Sequence, residues 1–370
     1  MKFWSHGIDN SCRTPYNQAI FITKAKALPV GSAFLLKKKG RETMKKTCKI
    51  ALTILAMTAA AAGASITSTV EAAEKKPVIG ISWKSQTQDY EAFKKIIEAA
   101  GGIAVELPQV TSSHVPYNAD KTVAADAIYP SGMLKEEYAD AIKANRFDET
   151  NVKEIMKGID GVFFTGGEDI SPSLFKDPKK EENMGEGINA TRDISDYTLM
   201  SYCVQKDIPA FAVCRGEQMM GIVHGVTFIQ DLPVYYQSKG VYYDGLHRAP
   251  VNAWGRDYVR HDATLLPVKS HLREIVGADK LENVSSWHHQ AILSVEGTDL
   301  IQTAETVDKG GISIVEGIEN PTKKFCVAVQ FHPENDLKHV LVEGEDPKDY
   351  MDQTIALRFF QELVKAAAQK

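Results

Sequence analysis

Apolar positions along this chain follow two alternating rhythms. Short unbroken runs such as "KPVIGISW" (Lys76–Trp83), "IAVELP" (Ile103–Pro108), the start of "IDGVFFTGGEDISP" and "IPAFAVC" read as strands buried on both faces. Between them, Tyr90, Phe93, Ile96, Ile97 and Ala100 recur at helical spacing until Gly101-Gly102 end the pattern. "RDISDYTLMSYCVQKD" reads as a further helix, and "RGEQMMGIVHG" as another that stops at Gly225. Strand alternating with helix predicts an α/β fold with a doubly wound, mostly parallel sheet, whose ligands gather at the carboxyl ends of the strands. Two loops stand at such ends, the double glycine Gly166-Gly167 and the turn bearing Cys214, and both therefore lie on one edge.

Cys214 sits between the run Pro209–Val213 and the helix that begins at Arg215. A thiol on a strand-to-helix turn lies at a helix N-terminus, where backbone N–H groups and the macrodipole favour thiolate and can hold an oxyanion. Small residues at Ala212 and Gly216 permit the close approach that a nucleophile elbow needs. The stretch alone leaves a second reading open, that of a buried small hydrophobe. Cys203, in a helical pattern, and Cys326, in the strand-like "FCVAVQF", read as core.

The N-terminal part is different in kind. From Met44 the chain runs "MKKTCKIALTILAMTAAAAGASITSTVEAAEKK", a basic start, an apolar run and small residues at Ala62-Gly-Ala64 and Val70-Glu-Ala72, the pattern of a secretory signal peptide. The run is short and alanine-rich for a membrane anchor, the competing reading. We therefore expect a signal over residues 44–73, an upstream extension without fold over 1–43, one folded domain over 74–370, and an exported product with no stable membrane anchor after cleavage. Residues 1–73 hold 11 of the 43 basic and 3 of the 48 acidic residues, which leaves 32 and 45 and a net charge of −13 on the remainder. So acidic a domain is poorly suited to nucleic acid or anionic membrane. Three cysteines in it imply no disulfide framework.

Four segments then combine. "TGGEDISP", "CRGEQ", "HHQAI" and "QFHPE" occur in that order, the last a strand ending in His332-Pro333-Glu334. From about Lys76 onward the chain resembles the class I glutamine amidotransferases, and within them the gamma-glutamyl hydrolase-like branch that includes gamma-glutamyl-gamma-aminobutyrate hydrolases. The resemblance implies a flavodoxin-like amidotransferase fold and a Cys-His-Glu triad, with Cys214 as nucleophile, His332 as general base and acid, and Glu334 orienting the imidazole. It further implies an oxyanion hole from backbone N–H groups of Arg215 and of Gly166 or Gly167, with His289 and Gln290 shaping the cleft. No cofactor is implied. Nor is a metal expected, since the adjacent His288 and His289 point different ways and no Cys or carboxylate cluster accompanies them in the sequence.

Other residues carry two readings each. Arg192 and Asp193 match a helix-start pair of the family or are solvated cap residues, and His261 in "RHDATLL" matches a family histidine without an assigned role. Ser285-Ser286, expected to follow a helical segment, stands where the family more often has Asn-Ser. Residues 110–151 exceed the compact helix usual there and form a lid or surface packing. The function these features imply is cleavage of gamma-glutamyl amide bonds in a small substrate through a Cys214 thioester. A glutaminase subunit serving a synthase, and a binding protein on the same scaffold, are the alternatives.

Overall fold

A computed structural model of the chain describes residues 75–83, 90–180, 187–248 and 258–369. The expected extension 1–43 and signal 44–73 lie outside the described residues. None of the described helices is long and apolar enough to cross a membrane.

The strands come in chain order as β1 (Val78–Ile81), β2 (Ile103–Glu106), β3 (Gly161–Phe164), β4 (Ala210–Val213), β5 (Thr227–Ile229), β6 (Val259–Leu265), β7 (Lys280–Ser286), β8 (Ala291–Ser294), β9 (Ile301–Val307), β10 (Ser313–Glu319) and β11 (Cys326–Val329). Nine of these form one sheet in the order β2-β1-β3-β4-β11-β10-β9-β6-β7, and β5 pairs with β8 separately. The five strands from β2 to β11 are parallel. Beyond β11 each pairing is antiparallel. Seven of the nine strands thus share one direction, in the expected α/β architecture, with β10 and β6 reversed.

The helices are α1 (Tyr90–Ala99), α2 (Glu136–Lys143), α3 (Val152–Ile155), α4 (Ala190–Lys206), α5 (Arg215–His224), α6 (Leu232–Ser238), α7 (His271–Val276), α8 (Pro333–Leu337) and α9 (Gln353–Ala368). They form a layer on each face of the sheet. The central strands divide their side chains between the two cores: Val162, Phe164, Ala210 and Ala212 face the α4 and α5 side, while Phe163, Phe211 and Val213 face α1 and α9. Strands buried on both faces read as continuous apolar runs, which is why β3 and β4 were visible in the sequence.

Residues 110–151 contribute Val110, Val123, Leu134 and Ile142 to the core on the α4 side. Main-chain N–H groups of the segment donate to Ser195 Oγ (2.9 Å), Thr191 Oγ1 (2.9 Å) and Ser171 Oγ (3.0 Å). Its packing is against α4 and the turn after Gly167. Ser285-Ser286 end strand β7, which itself follows helix α7: Leu281 and Val284 face the core while Lys280 and Glu282 face water, and the pairing shifts register around Asn283, at φ 58°, between the two apolar residues.

Candidate active site

Three neighbouring parallel strands deliver the site at their carboxyl ends. Gly166 follows β3, Cys214 follows β4 and His332 follows β11, with Val329 in register opposite Val213 and Ala212 opposite Phe164. Cys214 holds φ 52° and ψ −112°, a backbone conformation costly for a residue with a Cβ, and caps α5. Such a turn demands that helix and strand nearly touch. A Cβ at Gly216 would fall 2.7 Å from the Phe164 carbonyl oxygen, so glycine is what the elbow admits there.

His332 and Glu334 occupy the junction of β11 with α8. His332 Nδ1 lies 2.7 Å from Glu334 Oε1, both side chains buried. Nε2 has no settled hydrogen bond and is the nitrogen left for the thiol. Burial works against a charged ring, but Tyr258, Glu334 and Cys214 outweigh it and hold the His332 pKa well above the ordinary histidine value. The Tyr258 ring stands edge-on to the imidazole at 5.1 Å between centroids. Gly166 fits between the Cys214 and His332 side chains: an added Cβ would sit 3.0 Å from His332 Cε1 and 3.4 Å from Cys214 Cβ.

The glycine loop is held from below by Arg192. Its Nη2 donates to the carbonyls of Thr165 (3.2 Å) and Gly166 (2.7 Å), Nη1 to Glu168 (2.6 Å) and Nε to Asp196 (3.0 Å). Gly167, at φ 153°, must lack a side chain because a Cβ would land 1.9 Å from Arg192 Nη1. Arg215 turns its side chain inward to Asp193 (2.8 Å), whose other oxygen accepts from Ser171 N and Oγ. Both Arg192 and Asp193 are fully buried, so the solvated-cap reading fails; Asn189 is the cap of α4. Glu168 tends upward through burial, yet Arg192 and Arg215 override that and lower its pKa to about 2.

A small pocket opens over Cys214, lined by Gly167, Asp169, Gln218, Arg248 and residues 287–290. His289 is fixed between two carboxylates, with Nε2 3.0 Å from Asp169 and Nδ1 2.9 Å from Asp231. Burial would discharge the ring, but the two aspartates raise its pKa to about 9. The Gln290 carbonyl accepts from Gln218 Nε2 (3.1 Å), and Arg248 stacks over Trp287 at 4.2 Å. Ser285 accepts at its carbonyl from His332 N (2.9 Å) and bonds Asp336 through its hydroxyl, so its contacts support His332.

On the β10 side of Cys214 lies a second polar neighbourhood. His247, His261 and His288 all face the Glu316 carboxylate, with nearest approaches of 3.1, 3.4 and 4.0 Å. The expectation that no carboxylate accompanies the paired histidines therefore does not hold. Glu217, in the first turn of α5, is buried beside it, and burial with the charges of Glu316 and Cys214 pushes its pKa well above the usual carboxylate range. Sequence reasoning missed Asp169 and Asp231 as the braces of His289, Arg248 as a pocket cation, and the Glu316 cluster. The available signal was Glu316 inside the otherwise apolar stretch "IVEGI", a position that needs a partner when buried.

A family model described as peptidase C26 matches residues 138–334, just over half of the chain and the whole stretch from Gly166 to Glu334. The chain belongs to the peptidase C26 family. Its similarity to a glutamine amidotransferase-like protein of Rickettsia prowazekii is 28% identity over 287 residues, 68% of this chain and 94% of that one. A glutamine amidotransferase of Mycobacterium tuberculosis matches at 28% over 218 residues, 56% of this chain and 64% of its own. Among solved structures, a glutamine amidotransferase from Thermotoga maritima aligns over 80% of this chain and all of its own, with a TM-score of 0.42 and 12% identity. Family and relatives together support a hydrolase or amidotransferase type of function for this peptidase C26 member, with cysteine chemistry.

Proposed function

We propose that this protein hydrolyses gamma-glutamyl amide bonds through a thioester on Cys214. The observation that carries the reading is the elbow itself: a strained cysteine at a helix N-terminus, beside a buried His332–Glu334 pair, under a pocket that offers charges of both signs. A gamma-glutamyl group presents an α-carboxylate and an α-ammonium. Arg248 suits the first and Asp169 the second.

In the first half-reaction the Cys214 sulfur attacks the gamma-carbonyl carbon while His332 holds the proton taken from the thiol. The oxyanion is received by main-chain N–H groups of Arg215 and of Gly166 or Gly167. Collapse breaks the C–N bond, and the His332 imidazolium gives its proton to the leaving amine. Once the sulfur is acylated, the Cys214 contribution to the raised His332 pKa is gone, so the imidazolium gives up its proton more readily and the neutral ring is present for the second half. It then takes a proton from water, which attacks the thioester and releases glutamate and the thiol. Glu334 steadies the ring in both halves. Arg192, Gln218, His289 and Gln290 position this machinery without touching the reacting atoms.

We further propose export of the mature domain on the basis of the leader-like sequence, with mature N-termini between about Ser65 and Glu74. A panel of gamma-glutamyl amides tested against glutamine alone decides the activity. Release of glutamate from several amides in preference to glutamine supports the proposal. Turnover of glutamine only points to a glutaminase subunit, and turnover of neither points to a binding protein.

A further inference from the structure

The reaction above makes no use of the cluster around Glu316. His247 Nδ1, His261 Nε2 and His288 Nε2 approach one oxygen, Oε1, from three elements: the loop after α6, strand β6 and the segment after β7. All four side chains are more than nine-tenths buried. Neither Glu316 oxygen and none of the three facing nitrogens has a hydrogen-bond partner.

Protonation can be assigned from the outer contacts. His261 Nδ1 lies 3.2 Å from the Asp262 carbonyl, and His288 Nδ1 lies 2.8 Å from the Gln290 carbonyl. A ring nitrogen facing a carbonyl carries the hydrogen, so Nε2 of each ring is the lone-pair nitrogen. Lone pairs therefore aim at a carboxylate, acceptor against acceptor. One proton on Glu316 would satisfy a single nitrogen and leave the rest of a dry polar cluster unpaired. A divalent cation would satisfy all four groups at once.

We propose that His247, His261, His288 and Glu316 bind one divalent transition-metal ion of the zinc type. Ligand atoms about 2.0–2.1 Å from a shared tetrahedral ion stand about 3.3 Å apart; His247 and His261 approach Glu316 to 3.1 and 3.4 Å, and one donor atom from each of these three residues lies within 4.8 Å of the others, with His288 Nε2 farther out at 4.0 Å from Glu316. Three imidazoles and a carboxylate are the nitrogen and oxygen donor set such ions prefer, and together they close a four-coordinate shell. The outer contacts are those of a built site. Besides the two carbonyl bonds, Thr306 Oγ1 lies 3.2 Å from His261 Nδ1, and the His247 carbonyl accepts from Ser286 Oγ (3.0 Å) and His288 N (3.0 Å). A metal here would fasten the segment that carries His288, His289 and Gln290 into the pocket to strands β6 and β10. It would be structural, and its presence does not depend on which amide is cleaved.

Purified chain is stripped with chelator and titrated with zinc(II) against a chromogenic chelator, with metal content read by mass spectrometry and cobalt(II) substitution read by visible absorption. Wild type should bind about one ion per chain and give the d–d bands of four-coordinate cobalt. The Cys214→Ala and His339→Ala variants should keep the ion; the second removes the exposed His339, Glu343 and Glu345 grouping as a competitor. Glu316→Gln and His261→Gln should bind at least about tenfold more weakly. Where a ligand variant does not fold, wild-type stoichiometry and the cobalt spectrum decide the question by themselves. No stoichiometric binding to stripped wild type, binding lost in Cys214→Ala, or undiminished binding in a folded Glu316→Gln would each overturn the proposal.

Discussion

Two buried charged neighbourhoods stand on either side of the Cys214 turn, and they are built on opposite plans. On the β3 side, Arg192 and Arg215 meet Glu168, Asp193 and Asp196 through completed hydrogen bonds, with two Arg215 nitrogens and one Asp196 oxygen left over. On the β10 side, three imidazoles face Glu316 with no hydrogen bond completed. The first cluster sets two guanidinium groups against three carboxylates and pairs them from within the chain. Its product is geometry, since Arg192 grips the Thr165 and Gly166 carbonyls and so sets where the loop main chain passes Cys214. The second is incomplete as a hydrogen-bonded unit, and a buried group left in that state costs free energy that a cation would recover. Buried charge is thus a scaffold where it is matched and a ligand site where it is not.

The largest expected effect lies between the two clusters. Cys214→Ala and His332→Ala should each lower turnover of a gamma-glutamyl amide by about 10⁴-fold or more, while Glu334→Gln, which keeps a ring partner but not its charge, should lose less. Steady-state rates on folded variants check the ranking. If Glu334→Gln proves as inactive as His332→Ala, Glu334 has a more direct part than steadying the ring.

Breaking the matched cluster comes next. Arg192→Met leaves Glu168 and Asp196 without their guanidinium and should cost about 3–5 kcal/mol in urea unfolding, with a fall in kcat as the glycine loop loosens. A stable Arg192→Met protein with normal kcat would show that the loop holds itself.

A smaller effect sharpens the same side by pH. Glu168 has a folded pKa of about 2, below its unfolded value, so its contribution is present above the unfolded pKa and is lost as pH falls from about 4.5 toward 2. Glu168→Gln should remove that part of the acid-side slope, on the order of 2 kcal/mol once screening at its partly open side is allowed for. Identical acid denaturation profiles for wild type and variant would contradict the assignment.

The parallel half of the sheet was legible because β3 and β4 are apolar at every position and are followed by helical patterns that begin near Arg192 and at Arg215. Cys214, His332 and Glu334 were legible as candidates through the motifs "CRGEQ" and "QFHPE", which stand at the ends of β4 and β11. The antiparallel half was not. Strand β9, "IQTAETV", mixes polar and apolar residues, and β7 buries Leu281 and Val284 three apart, a spacing easily read as helix. Clusters assembled from distant segments were the least visible. His247 and Glu316 belong to a loop and a strand 69 positions apart, and nothing local in either marks the pairing. Arg192 was visible as a residue but not as a role, because only the fold reveals that a helix-start arginine is fully buried under a glycine loop.

The central claim is that Cys214 carries the acyl group, and trapping tests it most directly. Wild-type protein mixed with a slowly hydrolysed gamma-glutamyl ester and quenched in acid should show by mass spectrometry a glutamyl adduct on the peptide containing Cys214, and His332→Ala should gain it far more slowly. An active protein that turns over the ester with no adduct on Cys214, or with the adduct on Cys203 or Cys326, would contradict the account.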